Sequence, residues 1–170
     1  MKFEVIYRDI LKKKLSEQKS KELGEQFSKL ALEGVIQSEF VKGAYEFLDQ
    51  YYKKIFFYII SGTPEEEMVY IAQARGLKKF FRGIYGSPRT KGEIMKMIMR
   101  QDNLHSGEII FVGDSINDYA GAREAGIQFI GRTGEEAGNP FAGVRPDLLV
   151  KDIAELKNKL MERSLLPVPD

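Results

Sequence analysis

Residues 111–126 read FVGDSINDYAGAREAG, the pattern of a buried strand, a turn with two carboxylates and a helix of small residues. The apolar run that begins at Ile109 ends at Gly113, and Asp114 and Asp118 follow it. Parallel sheets in α/β proteins bind ligands at the carboxyl ends of their strands. Two carboxylates at such an edge can hold Mg²⁺, which prefers hard oxygen ligands. The segment therefore predicts an α/β fold with a metal site at the edge of the sheet.

The composition indicates one ordinary domain of 170 residues with a net charge of +1 and no cysteine. A charge this small argues against a dedicated nucleic-acid binder. Without cysteine there is no disulfide, thiol nucleophile or zinc–thiolate site, which suits the cytoplasm. The longest apolar run, residues 55–60, is too short to cross a bilayer. We expect a cytoplasmic protein with no nucleic-acid or membrane partner, and the sequence leaves monomer or dimer undetermined.

Helix and strand patterns alternate from about residue 44 onward. Apolar residues recur at helical spacing over residues 3–33, and a break at Ser16 predicts two charged helices there. Further helices are predicted at 44–52, 64–75, 91–99 and 152–163, with strands at 55–60, 108–112, 127–131 and 148–150. This alternation predicts right-handed βαβ units and a three-layer, Rossmann-like parallel sheet.

The turn after strand 55–60 is a candidate anion site. Ser61, Gly62 and Thr63 end that strand, and Thr63 is expected to cap a helix that starts at Pro64. A hydroxyl and backbone N–H groups at a helix N-terminus bind anions such as phosphate. The alternative is that Ser61 and Thr63 only close the turn and cap the helix.

Lys91 is a second candidate, because it falls in the first turn of a helix that Thr90 and Glu93 cap. The helix dipole disfavours a cation there. Lys91 therefore needs a partner, either a phosphate or a carboxylate such as Asp118, unless it is simply exposed to water.

The remaining polar residues leave alternatives open. Asp114 and Asp118 repel each other unless a cation, a lysine or a shared proton intervenes, but Asp118 could instead begin a helix and Asp114 close a turn. Arg89 could assist phosphate binding or lie on the surface. His105, the only histidine, is better interpreted as a surface residue than as a base.

The ordered set of these segments resembles the haloacid dehalogenase-like superfamily, whose members are mostly phosphatases. Residues 59–62 are similar to its second motif, in which a Ser or Thr binds the phosphoryl group. Lys91 is similar to the third-motif lysine, which steadies the nucleophile and the phosphate. Residues 113–118 are similar to the fourth, acidic Mg²⁺ motif.

The resemblance covers residues 44 to about 150 and implies a division of the chain. Residues 1–43 would be part of a helical cap, and residues 44–170 would be the α/β core. The family's first motif, Asp-x-Asp, does not occur in residues 1–170. The resemblance therefore implies that the first core strand, with its aspartate nucleophile, is missing, and catalysis by this chain alone is not expected.

The missing strand would lie between strands 55–60 and 108–112, so that two apolar strand edges would be exposed. Residues 2–7 alternate enough to form a replacement strand, although a helix is the favoured interpretation.

The resemblance implies a Mg²⁺-dependent phosphatase-like hydrolase that acts on a small phosphorylated metabolite. Lys91 and Asp118 would be catalytic, with Asp118 orienting Lys91 or the water shell of the metal. Asp114 and Asp118 would form the metal site, and Ser61, Gly62, Thr63 and Lys91 would hold the phosphate. The alternatives are a non-catalytic phosphate-binding module and a sugar phosphomutase. A response-regulator receiver fits poorly, because its site residues would come in a different order.

Overall fold

The computed structural model describes residues 2–134 and 138–168, apart from the side chain of Lys2. It divides into two compact units, Met1–Glu39 and Phe40–Asp170. The helices are α1 (Lys2–Val5), α2 (Glu17–Gln37), α3 (Ala44–Tyr51), α4 (Glu65–Ala74), α5 (Lys91–Gln101), α6 (Ile116–Ala125) and α7 (Ile153–Glu162). The strands are β1 (Phe57–Pro64), β2 (Phe81–Ser87), β3 (Ile110–Gly113), β4 (Gln128–Arg132) and β5 (Leu148–Val150). A π-helical turn, Ile6–Ile10, continues α1, and 3₁₀ turns cover Lys78–Phe80 and Ser106–Glu108.

The first unit is helical, as the spacing of its apolar residues predicts. Ser16 is the N-cap of α2, and its hydroxyl accepts a hydrogen bond from the Lys19 N–H at 3.2 Å. The rings of Phe3 and Phe27 meet edge to face, with centroids 6.0 Å apart, and so join α1 to α2. Residues 2–7 are helical, so they form no replacement strand.

The second unit contains two parallel sheets. One sheet has the order β1-β2 and the other the order β3-β4-β5. Ile59 pairs with Ile84 in the first sheet, and Ile130 pairs with both Val112 and Leu148 in the second. The expected parallel α/β fold is confirmed. The single sheet of the sequence analysis is present as two pieces, because none of the described segments lies as a strand between β1 and β3.

Neighbouring residues of β4 show the layers on the two faces of the second sheet. Phe129 and Ile130 point to opposite faces, as successive strand residues do. Ile130 belongs to a core cluster with residues of α3 and α7, namely Phe47, Tyr51, Leu156 and Leu160. Phe129 belongs to a second cluster with residues of α5 and α6, among them Met95 and Ala122. The three-layer arrangement of helix, sheet and helix follows from these two clusters.

Strand β2 is an element that the sequence analysis left unassigned. Its sequence, FRGIYGS, contains an arginine and two glycines, which interrupt the apolar alternation typical of a strand. Its residues from Phe81 to Ser87 pair with β1, and these backbone hydrogen bonds stabilise the strand. The strand is therefore set by a tertiary partner rather than by its own propensity.

Residues 133–147 connect β4 to β5, and residues 135–137 of this segment lie outside the described residues. Over the described part of the chain, we find no helix with the length and apolar character needed to span a membrane.

Asp102, at the carboxyl end of α5, links that helix to the β1-β2 sheet. Its carboxylate accepts hydrogen bonds from the Tyr58 hydroxyl and from the Arg82 guanidinium, with Nη2 at 2.7 Å. The Tyr58 hydrogen bond, and after it the Arg82 guanidinium, hold the pKa of Asp102 below its ordinary value. The side chain of Asp102 is almost fully buried.

We expect the free energy of unfolding of Asp102→Asn to depend less on pH than that of the wild type. Because the folded-state pKa is lowered, the ionised carboxylate stabilises the protein above its unfolded pKa of about 3.9, and this stabilisation is lost as the pH falls through the folded value. The urea midpoint of the wild type should therefore fall more between pH 7 and pH 3 than that of the variant. Asp49→Asn, at an exposed position of α3, is the control. Equal pH dependence of the wild type and Asp102→Asn would contradict the assignment.

Candidate functional site

The N-terminus of α5 is fixed by a reciprocal capping box. The Thr90 hydroxyl accepts from the Glu93 N–H at 3.2 Å, and the Glu93 carboxylate accepts from the Thr90 N–H at 2.8 Å. The Thr90 N–H, and after it the Thr90 hydroxyl, hold the pKa of Glu93 below its ordinary value. The capping box confirms the predicted helix start and sets Lys91 at the first helical position.

Lys91 donates a hydrogen bond to Asp118 Oδ1, and this contact joins α5 to α6. The Lys91 side chain is 21% exposed and that of Asp118 is 6% exposed. The structure thus gives Lys91 the carboxylate partner that one reading of the sequence named. An ion pair so far removed from water depends on its remaining hydrogen bonds being made.

The second oxygen of Asp118 is held by the turn that precedes α6. Oδ2 accepts from the Asp114 N–H at 3.2 Å, the Ser115 N–H at 3.0 Å and the Ser115 hydroxyl at 2.6 Å. The Ser115 hydroxyl in turn accepts from the Asp118 N–H at 3.2 Å, which makes Ser115 the N-cap of α6. Asp118 therefore both begins the helix and orients Lys91, so two readings that the sequence analysis treated as alternatives hold together.

Gly113 allows the end of β3 to approach this carboxylate closely. A Cβ atom at position 113 would lie 2.4 Å from the Asp118 Cβ and 2.5 Å from its Cγ. Real Cβ atoms do not come this near to another atom, and Asp118 is held in place from two sides. The glycine of the Gly113-Asp114 pair is therefore required by packing.

Asp114 extends from the carboxyl end of β3, and its side chain is 61% exposed. Its Oδ2 accepts a hydrogen bond from Arg132 Nη2 at 3.1 Å, and Arg132 stands at the carboxyl end of the neighbouring strand β4. The Asp114 carboxylate is therefore accessible to a ligand, although the Arg132 guanidinium already donates a hydrogen bond to it.

Ser61, Gly62 and Thr63 lie inside β1, which runs to Pro64 because Pro64 still pairs with Ser87. The prediction that Thr63 caps the next helix is wrong. Pro64 occupies the N-cap position of α4 with extended ψ and makes no side-chain cap hydrogen bond.

The Ser61 hydroxyl accepts a hydrogen bond from the Thr63 N–H at 3.1 Å. This bond lies within the segment and does not cap a helix. Through the described residues, no hydrogen bond joins Ser61, Gly62 or Thr63 to Lys91 or Asp114. Hydrogen bonds therefore join Lys91, Asp114 and Asp118 in one network. Ser61, Gly62 and Thr63 lie near the carboxyl end of β1, at the corresponding edge of the other parallel sheet.

The donor set fits Mg²⁺ in part. Among the residues that the structure describes, no group of three or more His, Cys, Asp or Glu side chains could hold a metal ion. Asp114 offers an exposed carboxylate, whereas both oxygens of Asp118 are taken up by protein donors. Mg²⁺ in proteins often rests on one or two carboxylates, with water and substrate phosphate as its other ligands. Asp114 alone suits such a loosely held ion.

Two further residues of the sequence analysis lie outside this cluster. Arg89 contacts the Glu65 carboxylate, which also accepts from the Gly86 N–H at 3.2 Å. His105 has a side chain that is 88% exposed and contacts Glu108. Arg89 therefore ties α4 to the segment after β2, and His105 is a surface residue.

Sequence reasoning missed two members of the cluster, Ser115 and Arg132. Ser115 stands three residues before Asp118, which is capping-box spacing, so its role could have been predicted. Arg132 follows a predicted strand directly, so its place at the carboxyl edge could also have been predicted. Its contact with Asp114 depends on β3 and β4 being neighbours, which one sequence does not reveal.

Comparisons with known proteins address the family of this chain. The sequence pattern of the haloacid dehalogenase-like hydrolases matches residues 2–132. Phosphoglycolate phosphatase of Vibrio cholerae is 28% identical over 104 residues, which are 58% of this chain and 46% of the relative. Phosphoglycolate phosphatase 1 of Pseudomonas aeruginosa is 26% identical over 118 residues, which are 66% of this chain and 43% of the relative. The chain thus spans somewhat less than half the length of these curated relatives.

Solved structures show the same fold. A predicted phosphoglycolate phosphatase from Haemophilus somnus superposes with a TM-score of 0.76 at 24% identity, over 88% of this chain and 70% of the other. A haloacid dehalogenase-like hydrolase from Streptococcus pneumoniae gives 0.71 at 23% identity, over 86% and 72% of the two chains. From the fold, the order of its motifs and the match over most of its length, the chain belongs to the haloacid dehalogenase-like hydrolases.

Proposed function

We propose that this chain carries the phosphate- and metal-binding residues of a Mg²⁺-dependent phosphatase that acts on a small phosphorylated metabolite. The observation that carries the proposal is the Lys91–Asp118 pair beside the exposed carboxylate of Asp114. A lysine held at the first position of a helix, next to a carboxylate that can take a cation, suits a phosphoryl group.

Each side chain would have a distinct task at this site. Lys91, oriented by Asp118, would pair with a phosphoryl oxygen. Ser61 would donate its hydroxyl proton to another phosphoryl oxygen, since that hydroxyl already accepts from the Thr63 N–H. Gly62 and Thr63 stay candidates for further contacts, through the backbone N–H of Gly62 in particular. Asp114 would hold the Mg²⁺, and Asp118 would act as an anchor for Lys91 rather than as a direct ligand.

A bound Mg²⁺ would offset negative charge on the phosphoryl oxygens. The metal needs Asp114 as an anionic ligand, and it competes there with Arg132, whose Nη2 lies 3.1 Å from Oδ2. Residues 1–43 as part of a substrate-selecting cap, and a cytoplasmic location, remain predictions.

A phosphate-binding module without turnover is the second candidate. The feature that favours it is the lack of any Asp-x-Asp in residues 1–170, because the resemblance assigns the nucleophile to that motif. Release of inorganic phosphate from phosphomonoesters by the purified chain would exclude this candidate. Phosphate binding without release would support it.

The metal assignment is tested by Mg²⁺ calorimetry on Asp114→Asn. We expect a loss of Mg²⁺ affinity of about tenfold or more, because the variant removes the anionic oxygen of the only exposed carboxylate in the cluster. Asp49→Asn, far along the sequence on α3, is the matched control and should bind as the wild type does. Unchanged affinity in Asp114→Asn would remove Asp114 from the metal site and, with it, the support for Mg²⁺ dependence.

Arg132→Ala should change the same titration in the opposite direction. Removing the guanidinium leaves the Asp114 carboxylate without its competing cation, and an exposed pair of this kind contributes up to about 1 kcal/mol. We therefore expect Mg²⁺ affinity to rise by up to about fivefold. A fall in affinity would mean that Arg132 positions Asp114 for the metal instead of competing with it.

A further inference from the structure

The Glu65 carboxylate connects the start of α4 to two distant segments of the chain. Its Oε2 accepts a hydrogen bond from the Gly86 N–H at 3.2 Å and another from Arg89 Nη2. Glu65 directly follows β1, Gly86 lies near the end of β2, and Arg89 belongs to the loop between β2 and α5. We call these three residues the Glu65 bridge. One oxygen atom thus joins residues that are 21 and 24 positions away along the sequence.

The Glu65 bridge connects the segments that carry the two groups of candidate phosphate-binding residues. Residues 61–63 precede Glu65 in β1, and Lys91 follows Arg89 at the start of α5. Strands β1 and β2 are parallel neighbours, so the segments that follow them leave the sheet at the same edge. This is the edge at which parallel sheets bind ligands. The bridge is therefore placed to set the distance between the two groups.

The backbone around the Glu65 bridge is closely packed. Pro64 pairs with Ser87 where β1 and β2 end. A Cβ atom at Gly86 would lie 2.6 Å from the Glu65 nitrogen and closer still to the Thr63 carbonyl oxygen, which is nearer than real Cβ atoms come to other atoms. The end of β2 therefore approaches the start of α4 as closely as only a glycine allows.

Arg89 extends the bridge to α5. Its Nη1 lies 3.1 Å from the Met97 sulfur on α5, and its guanidinium lies over the Tyr85 ring of β2, 5.6 Å from the centroid. The Arg89 and Glu65 side chains are 40% and 39% exposed, and an ion pair so exposed adds little to the stability of a fold. Its contacts with α4, β2 and α5 instead favour a role in holding these elements in fixed relative positions.

We propose that Glu65 and Arg89 are positioning residues, which hold Ser61 and Lys91 at the separation needed to contact one phosphoryl group. The inference rests on the proposed function, because it concerns the same phosphate site. Among the described residues, no hydrogen bond joins residues 61–63 to Lys91 directly, so their spacing depends on the elements that carry them. A binding site needs its contacting groups held to within about 0.5 Å by surrounding residues, and the Glu65 bridge supplies that support.

Calorimetry with inorganic phosphate, in a buffer that contains Mg²⁺, gives a test in which the sign of the effect decides. Glu65→Gln removes a negative charge near an anion site, so Coulomb's law alone predicts tighter phosphate binding. A positioning role predicts weaker binding, by about three- to fivefold, because Arg89 loses its charged partner. Glu66→Gln, at an exposed position in the same first turn of α4, is the matched control and should bind phosphate at least as tightly as the wild type. Arg89→Lys keeps a cation opposite Glu65 and should retain most of the affinity.

Amide hydrogen exchange followed by NMR tests the Glu65 bridge without any ligand. The Thr63 N–H donates to the hydroxyl two residues before it, and the Glu93 N–H donates to the N-cap hydroxyl of α5, so these two amides report on the two segments. We expect Arg89→Met to speed exchange of the Thr63 amide, and Glu65→Gln that of the Glu93 amide, each by about threefold or more. Each variant thus acts on an amide across the bridge from the substitution, and Glu66→Gln should change neither.

Unchanged exchange at both amides would overturn the proposal, and so would phosphate binding by Glu65→Gln that equals or exceeds that of the wild type. The variants change side chains near the surface, so we expect urea midpoints close to that of the wild type. Lys91→Met separates this proposal from the proposed function. If Lys91→Met binds phosphate as the wild type does, or if neither protein binds it, the proposed function fails, whereas exchange at the two amides still decides whether the Glu65 bridge holds the two segments.

Discussion

Replacing Asp118 with alanine is expected to destabilise the fold by about 3–5 kcal/mol, far more than loss of a surface ion pair. The carboxylate accepts from Lys91, from two backbone N–H groups and from the Ser115 hydroxyl. In the variant these donors lose their acceptor, and Lys91, whose side chain is 21% exposed, is left without its counter-charge. Urea unfolding followed by circular dichroism measures the loss.

Glu124→Ala provides the matched control on the same helix. Glu124 pairs with Lys96 at 2.8 Å, but the two side chains are 50% and 43% exposed. Water and salt screen such a pair, so its loss should cost less than about 1 kcal/mol. Similar losses in Asp118→Ala and Glu124→Ala would mean that burial of the Lys91–Asp118 pair does not determine its strength.

Lys91→Met separates the ion pair from the other bonds of Asp118. Without Lys91, the carboxylate keeps its two N–H donors and the Ser115 hydroxyl, so we expect a smaller loss than in Asp118→Ala. The double variant should then show a coupling energy of about 1–3 kcal/mol, as residues in direct contact do. A smaller loss in Lys91→Met than in Asp118→Ala would mean that the cluster is stabilised chiefly by the turn before α6.

The sequence indicated the Lys91–Asp118 contact as one possibility, because the local environment of each residue favours an oppositely charged neighbour. Lys91 sits in the first turn of a helix, where the dipole opposes a cation, and Asp118 follows a buried strand. Each local signal of this kind, such as the capping-box spacing of Thr90 and Glu93, involves residues only a few positions apart. The same is true of the helix break at Ser16, which is the N-cap of α2.

Features that depend on pairing between strands distant in sequence could not be predicted from local sequence patterns. β2 is a strand because β1 lies beside it, and Thr63 stays in β1 because Pro64 pairs with Ser87. The helix α4 still begins here, but at Glu65 with Pro64 as its N-cap, one residue later than the sequence predicts. The sequence analysis expected one parallel sheet, and only the family resemblance led to the expectation of exposed edges on strands 55–60 and 108–112, because no local signal shows which strands pair.

Replacing Phe129 with alanine is the second change with a large expected effect. The side chain is fully buried, and its ring centroid lies 6.0 Å from Phe111, 5.6 Å from Tyr119 and 5.5 Å from Phe141. Truncation of a buried phenylalanine costs about 3–5 kcal/mol through lost transfer energy and the cavity that remains. Tyr70→Ala, at a position of α4 that is 56% exposed, should cost less than about 1 kcal/mol. Urea midpoints compare the two variants.

The effect of Phe129→Ala should reach the candidate site, because its neighbours carry that site. Phe111 belongs to β3, which ends at Gly113 just before Asp114, and Tyr119 belongs to α6, whose first turn contains Asp118. Phe129→Leu keeps most of the volume and should cost about 1.5 kcal/mol or less. We expect Mg²⁺ affinity, measured where each variant is still folded, to fall in Phe129→Ala and to be retained in Phe129→Leu. Retained affinity in both would show that the turn from Gly113 to Asp118 keeps its geometry through its own hydrogen bonds, without support from the aromatic cluster beneath it.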